Sequence, residues 1–203
     1  MHAVGARQCR SVWCGNSLRS GSTMRQKLSA EDWIKAGLKT LAQDGFPALK
    51  AEVIARRLNV SRGSFYWHFA DIAAFEHAVM ERWRDVMAEA IIRDLENVRP
   101  ARERLPRLLR LAFAAGTALE IAMRAWAASD ARARAVVGAV DKRRLSYIEK
   151  ILSDSGVAAE HNAPRSQIIY WTYLGFALSA KPIGGKARQR LIDQLTQLGH
   201  RHV

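Results

Sequence analysis

The chain has few cysteines and no residue set typical of an enzyme site. Cys9 and Cys14 are its only cysteines, too few for a disulfide scaffold, and with His2 they fall short of the four ligands of a structural metal site. We interpret both as free thiols in a cytoplasmic chain and predict neither a metal nor a cofactor. No glycine-rich phosphate loop follows a strand, and no Ser, His and Asp set stands at motif spacing. These absences argue against an enzyme.

Long hydrophobic runs and strand-like alternation are also absent. The longest apolar run, residues 168–180, has 13 residues, whereas a membrane-spanning helix needs about 20. From Ser29 onward nearly every segment has a helical period instead. We therefore predict a soluble all-α protein of about nine helices that does not enter a membrane. The last five are expected at 108–115, 118–128, 131–152, 164–180 and 186–198.

Acidic residues are scarce relative to basic ones. The chain has 32 Lys and Arg against 19 Asp and Glu, a net charge of +13 and a pI near 10.5, which suits a polyanionic partner. Many of these basic residues can equally be a solvated surface. Residues 1–23 are rich in Gly, Ser and Arg and lack the apolar core of a signal peptide, so we expect a disordered leader, with Met24 as a candidate start.

The most informative segment that is present runs from residue 53 to residue 69. Apolar residues at helical spacing lead to Asn59, which tolerates the left-handed conformation of a tight turn, and Val60 then points inward. Ser61 is expected to cap a second short helix by accepting a hydrogen bond from a main-chain amide. This helix-turn-helix pattern can place its second helix in a DNA major groove. The outward face of that helix carries Arg62, Gly63, Ser64, Tyr66 and His68.

Helices are also predicted on both sides of this motif. Ser29 and Asp32 resemble a capping box that begins a first helix, which stops at Gly45. Asp71 is expected to cap a fourth helix that continues toward Leu95 and links the motif to the rest of the chain. Two prolines and dense charge at 97–106 then interrupt the pattern.

The same residues resemble the TetR (tetracycline repressor) family of bacterial transcriptional regulators. The resemblance is carried by Asp-Gly-Phe at 44–46, by Ile-Ala-Arg-Arg-Leu-Asn-Val at 54–60 and by Ser-Arg-Gly-Ser-Phe-Tyr-Trp-His-Phe at 61–69. It implies a DNA-binding domain at 24–85 and a ligand-binding and dimerisation domain at 86–203. By resemblance, the chain is a repressor that binds a palindromic operator as a homodimer and is released by a small molecule.

The resemblance also implies individual DNA contacts. The family pattern puts Arg62, Gly63 and Ser64 at the groove, and Tyr66 and His68 on phosphates. Their chemistry agrees, because arginine can fork to guanine and hydroxyl groups can donate to phosphate. Trp67 is a further candidate DNA contact, with a place in the core as the alternative. Many family members have Thr or Ser where this chain has Lys50 and Ala51, so Lys50 is a candidate for a replacement backbone contact.

For the body, the resemblance implies an effector pocket lined by aromatic residues. We expect an uncharged or weakly charged aromatic or lipophilic ligand, with polar selectors on the helix that contains Thr117 and Glu120. An ordinary aromatic core and a solvated ion pair are the alternative interpretations. The candidate pocket residues are Phe113, Thr117, Glu120, Met123, Trp126, Tyr147, Tyr170 and Trp171.

Dimerisation is predicted from the last two helices. The eighth is apolar nearly all round, which one small domain can scarcely bury alone, and the ninth has one apolar stripe. Two such helices from each subunit would form a twofold four-helix interface. A nonspecific architectural DNA-binding protein and a dimeric ligand- or partner-binding protein that does not use DNA remain alternatives. The candidate interface residues are Ile169, Tyr173, Leu174, Phe176, Leu191 and Leu195.

Overall fold

A computed structural model describes residues 28–114, 116–180 and 183–200, and within these ranges the chain is helical and contains no strand. The predicted all-α class is confirmed. No helix in these ranges is both long and apolar enough to cross a membrane. The predicted leader lies outside the described residues. The α-helices are α1 (Ala30–Asp44), α2 (Ala51–Arg57), α3 (Ile72–Arg84), α4 (Ala90–Glu96), α5 (Arg104–Ala114), α6 (Ala118–Ser129), α7 (Ala131–Asp154), α8 (Ala159–Leu178) and α9 (Gly185–Gln197).

Helix α1 begins and ends where local chemistry predicts. The Ser29 hydroxyl accepts from the Asp32 amide at 3.3 Å, and the Asp32 carboxylate accepts from the Ser29 amide at 2.8 Å, so the capping box is confirmed. The Ser29 hydroxyl also donates to the Asp32 carboxylate at 2.7 Å, and this hydrogen bond, together with the one from the Ser29 amide, lowers the pKa of Asp32. Gly45 ends the helix with φ 77°, a left-handed value that glycine adopts without strain.

The second helix of the helix-turn-helix differs from the prediction. Residues Arg62–Trp67 form a 3₁₀ helix, and the Ser64 amide donates to the Ser61 carbonyl at 3.0 Å, a three-residue spacing. The predicted side-chain cap is wrong, because the Ser61 hydroxyl lies 3.2 Å from the Ser64 hydroxyl and caps no amide. Although it is a 3₁₀ helix, this segment still follows directly after the turn.

The predicted fourth helix is divided. The Asp71 carboxylate accepts from the Ala74 amide at 2.7 Å, so the predicted cap of α3 is confirmed. Between α3 and α4, however, Asp85–Glu89 form a π turn, in which the Ala90 amide donates to the Asp85 carbonyl five residues back. Together α3, the π turn and α4 are called the linker helix below.

Two proline positions shift the predicted boundaries of the body helices. Helix α5 begins at Arg104 rather than at residue 108, and this places Pro106 in its first turn, where a missing N–H leaves no carbonyl unpaired. Helix α8 begins at Ala159, so Pro164 lies inside it instead of starting it. In both cases the helix begins several residues before the boundary or proline at which the sequence pattern placed its start.

Two apolar cores hold these helices together. The first joins α1, α2 and α3 to α6 and the start of α7, and it contains the fully buried side chains of Trp33, Phe65 and Trp126. The second lies among α4, α5, α7, α8 and α9, around Leu105 and Ile151. Helix α1 and the short turn at Phe46–Ala48 are thus packed directly on α6, and the linker helix passes from the first core to the second.

Candidate nucleic-acid interface and body cavity

The turn of the helix-turn-helix is compact. Asn59 adopts φ 54°, which confirms the predicted left-handed residue, and the Val60 amide donates to the Ala55 carbonyl at 3.0 Å. Val60 is half-buried against the first core, as predicted. These contacts bring the chain back against α2 within three residues and fix where the 3₁₀ segment begins.

Phe65 anchors the 3₁₀ segment to the domain. Its side chain is fully buried, and its ring centroid lies 5.6 Å from that of Trp33 and 5.4 Å from that of Phe75 in edge-on arrangements. Edge-on aromatic pairs add stability beyond the area that they bury. With Phe65 held by α1 and α3, the opposite face of the segment is directed outward.

The outward face carries most of the predicted DNA contacts. Arg62 and Gly63 are exposed, Tyr66 is 53% exposed and Trp67 is 87% exposed, so Trp67 does not belong to the core. An Nη2 of Arg62 donates to the Tyr66 hydroxyl at 3.3 Å, and this hydrogen bond raises the pKa of the guanidinium. Arg62 and Tyr66 therefore form one polar unit on the surface.

The remaining predicted contacts are less uniform. Ser64 is half-buried, and the half-buried His68 has its ring centroid 6.2 Å from that of Trp33, so part of this histidine packs against α1. Lys50 is exposed just before α2. Sequence reasoning assigned no contact to Arg56, which is exposed in the last turn of α2, whereas the adjacent Arg57 pairs with Asp44 within the domain.

The body contains an apolar cavity of about 120 Å³ between the linker helix, α5, α7 and α8. Three of the eight predicted pocket residues line it, namely Phe113, Tyr147 and Tyr170. The sequence pattern missed the contribution of the linker helix, because its apolar stripe is typical of core. The other lining residues are Met87, Ala88, Ile91, Ile92, Leu108, Leu109, Leu111, Ala112, Arg144, Ile148, Ile169 and Tyr173.

Five predicted pocket residues lie elsewhere. Met123 and Trp126 belong to the first core, where Trp126 stacks on Phe46 with centroids 4.4 Å apart and planes inclined by 14°. Trp171 is 64% exposed on the outside of α8, and Thr117 precedes the first residue of α6. Glu120 is fully buried next to the cavity without lining it.

Glu120 is the centre of a buried ion-pair network. Its carboxylate accepts from Arg124 of the same helix at 2.8 Å and from Arg144 of α7 at 3.0 Å. Arg124 also pairs with Asp141 at 2.7 Å. The two cations and two carboxylates balance, so the network is neutral as a whole. The alternative of a solvated ion pair is therefore wrong for Glu120, whose side chain has no exposed surface.

Tyrosine hydroxyls complete the network. Tyr170 donates to Asp141 at 2.5 Å and Tyr173 donates to Glu120 at 3.3 Å. Burial, reinforced by the nearby carboxylates, raises the pKa of Tyr170 well above its usual range and that of Tyr173 to about 12. For Arg144, burial opposes the charge, but Glu120 outweighs it and the pKa is raised. The tyrosines therefore stay neutral donors and the guanidinium stays charged.

Most of the predicted interface residues pack inside the chain rather than at its surface. Ile169 and Leu195 are buried in the second core, so neither can face a partner, and Tyr173 is occupied by Glu120. Leu174, Phe176 and Leu191 are half-buried against the same core. The apolar side chains that α8 leaves at the surface are instead Ile168 at 50%, Trp171 at 64% and Leu178 at 49% exposure.

The described part of the chain contains no group of three or more His, Cys, Asp or Glu side chains that could hold a metal ion. Cys9 and Cys14 lie outside it.

Fold and surface together define a class: a helix-turn-helix domain, with an exposed polar face on its second helical segment, packed on a helical body that encloses a cavity. Residues 34–79 match the family model of bacterial regulatory proteins, tetR family. The match spans the helix-turn-helix and confirms the resemblance predicted from the sequence. No curated protein matches the chain.

Solved structures share the fold over most of the chain. NemR of E. coli in its reduced form aligns with a TM-score of 0.66 and 16% identity, covering 83% of this chain and 96% of that one. AibR in complex with isovaleryl coenzyme A and operator DNA aligns with 0.62 and 15%, covering 83% and 96%. A TetR-like transcriptional regulator from Rhodococcus sp. RHA1 gives 0.61 and 15%, covering 83% and 92%.

Proposed function

We propose that this chain is a transcriptional repressor that binds a palindromic DNA operator as a homodimer and releases it when a small molecule fills the body cavity. The observation that carries the proposal is the outward face of the 3₁₀ segment, where Arg62 and Tyr66 form one exposed polar unit above a fully buried Phe65. A rigid anchor beneath exposed donors is what base recognition requires, because the donors must be held in register.

Each exposed residue has a distinct part in this proposal. The Arg62 guanidinium can fork to O6 and N7 of guanine, the commonest specific contact in the major groove. Tyr66 orients Arg62 and donates to a phosphate. A Cβ built on Gly63 would meet only the Ser61 hydroxyl, at 3.8 Å, so the backbone there is open to close approach by DNA. Lys50 and Arg56 supply charge to the flanking phosphates.

The test compares variants on the DNA that the full chain selects from genomic fragments. Arg62→Ala should weaken binding by about 1–3 kcal/mol and relax preference at one base position per half-site. Tyr66→Phe should weaken all sequences about equally. Arg107→Ala, on the exposed side of α5, is the matched control and should change neither. Unchanged base preference in Arg62→Ala would overturn the groove assignment, and equal binding of random DNA would favour an architectural protein.

The dimer in this proposal uses the exposed α8 stripe, defined as Ile168, Trp171 and Leu178. These residues recur at spacings of three and seven, so they lie on one side of α8. Gly175 lies between them, and a Cβ there would meet nothing within 4 Å, which leaves room for close helix approach. Large exposed apolar side chains on one face favour a self-association surface. The twofold axis would set two recognition segments about 34–36 Å apart on DNA.

Trp171→Arg tests this interface directly. It should give monomers and much weaker operator binding, because a dimer would have to bury an unpaired charge. Ile121→Arg changes an exposed isoleucine of α6 in the same way and is the control, since α6 is outside the proposed interface. Light scattering that reported a dimer for Trp171→Arg would move the interface to another surface.

The cavity supports a small, uncharged and mainly apolar effector. A cavity of about 150 Å³ lined by apolar side chains is known to hold benzene, so about 120 Å³ suits a single ring or a short chain. The neutral network beside it disfavours a charged ligand, which would leave one buried charge unbalanced. AibR, whose fold this chain shares, binds both a small molecule and operator DNA, and that supports ligand control here.

A further inference from the structure

A main-chain carbonyl in the π turn of the linker helix accepts hydrogen bonds from a side chain of α7. Arg144 of α7 donates to the Met87 carbonyl from Nε at 3.3 Å and from Nη2 at 3.2 Å. A π turn shifts the helix register and is frequently found at functional sites. The contact joins the middle of the linker helix to a residue 57 positions away along the chain.

Arg144 is also oriented from its other side. Glu120 accepts from both terminal nitrogens, at 3.2 and 3.0 Å, and the guanidinium lies over the rings of Trp83 and Tyr173, 5.9 and 5.5 Å from their centroids. The side chain is thus held in one place by a carboxylate and two aromatic faces. Of its hydrogen bonds, only those to the Met87 carbonyl are made to the main chain, so a rearrangement of the π turn would break these.

Arg144 is one of four polar residues among those described that line the cavity, together with Tyr147, Tyr170 and Tyr173. Among the described lining residues it alone is charged. The Tyr170 and Tyr173 hydroxyls donate to Asp141 and Glu120, neither of which lines the cavity. An acceptor on a bound molecule that reaches Arg144 would compete with the Met87 carbonyl for the same guanidinium. Met87 itself also lines the cavity.

Resting on the proposed function, we propose that the effector is an uncharged cyclic or short-chain molecule with one oxygen acceptor. Its acceptor takes the Arg144 hydrogen bonds away from the Met87 carbonyl and loosens the π turn. A purely apolar molecule of the same shape fills the cavity and leaves the π turn closed. Differential contact of this kind is required, because a ligand that binds both arrangements equally shifts neither.

The first test needs neither ligand nor DNA. Arg144→Lys keeps a cation beside Glu120 but loses the two-pronged donation to Met87. Amide exchange in the peptide that spans residues 85–92 should become about tenfold faster. Arg134→Lys is the matched control on the same helix, since Arg134 also donates to main-chain carbonyls, those of Ala127 and Ala128. It should leave exchange at 85–92 unchanged. Equal exchange in Arg144→Lys and in the unaltered chain would overturn the proposal.

The second test uses two isosteric probes, cyclohexanone and methylenecyclohexane, on the unaltered full chain. Both should raise the melting temperature by filling the cavity, but only cyclohexanone should speed exchange at 85–92. The same acceleration by both probes, or failure of cyclohexanone to bind up to its solubility limit, would overturn the proposal. Operator binding is measured in parallel. Faster exchange without DNA release would contradict the proposed regulation while leaving the Arg144 coupling intact.

Discussion

Removing the charge of Glu120 should cost more stability than any surface carboxylate does. Its side chain is fully buried and is shared by Arg124 and Arg144, so Glu120→Gln leaves the buried Arg144 cation without the negative charge that balances it. Breaking a buried pair by removing one partner costs about 3–5 kcal/mol. Glu89→Gln makes the same substitution at the partly exposed pair with Arg143 and should cost about 0–1 kcal/mol.

The measurement is urea unfolding followed by far-ultraviolet circular dichroism, with all variants at one protein concentration. With a slope of about 2 kcal/mol/M, the expected loss lowers the midpoint by roughly 1.5–2.5 M for Glu120→Gln. The double variant with Arg144→Met should regain part of the loss, because it removes the uncompensated cation as well. Equal midpoints for Glu120→Gln and Glu89→Gln would refute the argument that the buried network is energetically central.

Three further predictions concern packing and capping. Gly37→Ala should destabilise by about 1–3 kcal/mol in thermal melts, because its Cβ would lie 2.7 and 2.8 Å from two buried side chains of α3, whereas Gly138→Ala, with open space around it, should stabilise. Trp126→Ala should lower the free energy of unfolding by about 3–5 kcal/mol. Trp67→Ala, at an exposed position, should change it by no more than about 0.5 kcal/mol. Hydrogen bonds from Arg132 and the α7 amides lower the pKa of Asp130 from 3.8 to about 2, so its stabilisation is complete above about pH 4 and is lost as the pH falls toward 2. The difference in melting temperature between the unaltered chain and Asp130→Asn should shrink across that window, and a constant difference would contradict the assignment.

Helix positions could be predicted because short-range chemistry sets them. Ser29 and Asp71 cap amides three residues away, and Asn59 needs only its own left-handed backbone, so each signal is complete within a few residues. The 3₁₀ form of the recognition segment was not predictable in this way. Its Phe65 packs between Trp33 of α1 and Phe75 of α3, contacts that a pattern of a few neighbouring residues does not contain.

The facing of α8 and the lining of the cavity could not be predicted for a different reason. A helix that is apolar nearly all round has no preferred face, so its sequence alone did not separate the buried Ile169 from the exposed Trp171. By residue type alone, Trp126 cannot be told from a residue that lines a pocket. Its actual position is against Phe46, on which it stacks. The π turn lies in a stretch whose residues all suit an ordinary helix.

The most direct test of the central claim is to sequence the DNA fragments that the full chain retains from genomic DNA at physiological salt, and then to measure binding to the recovered site. The account predicts an inverted repeat with half-sites one helical turn, or a multiple of it, apart, bound at least about 10³-fold more tightly than random DNA of equal length. Recovery of fragments without a shared repeat, bound no better than random DNA, would contradict it.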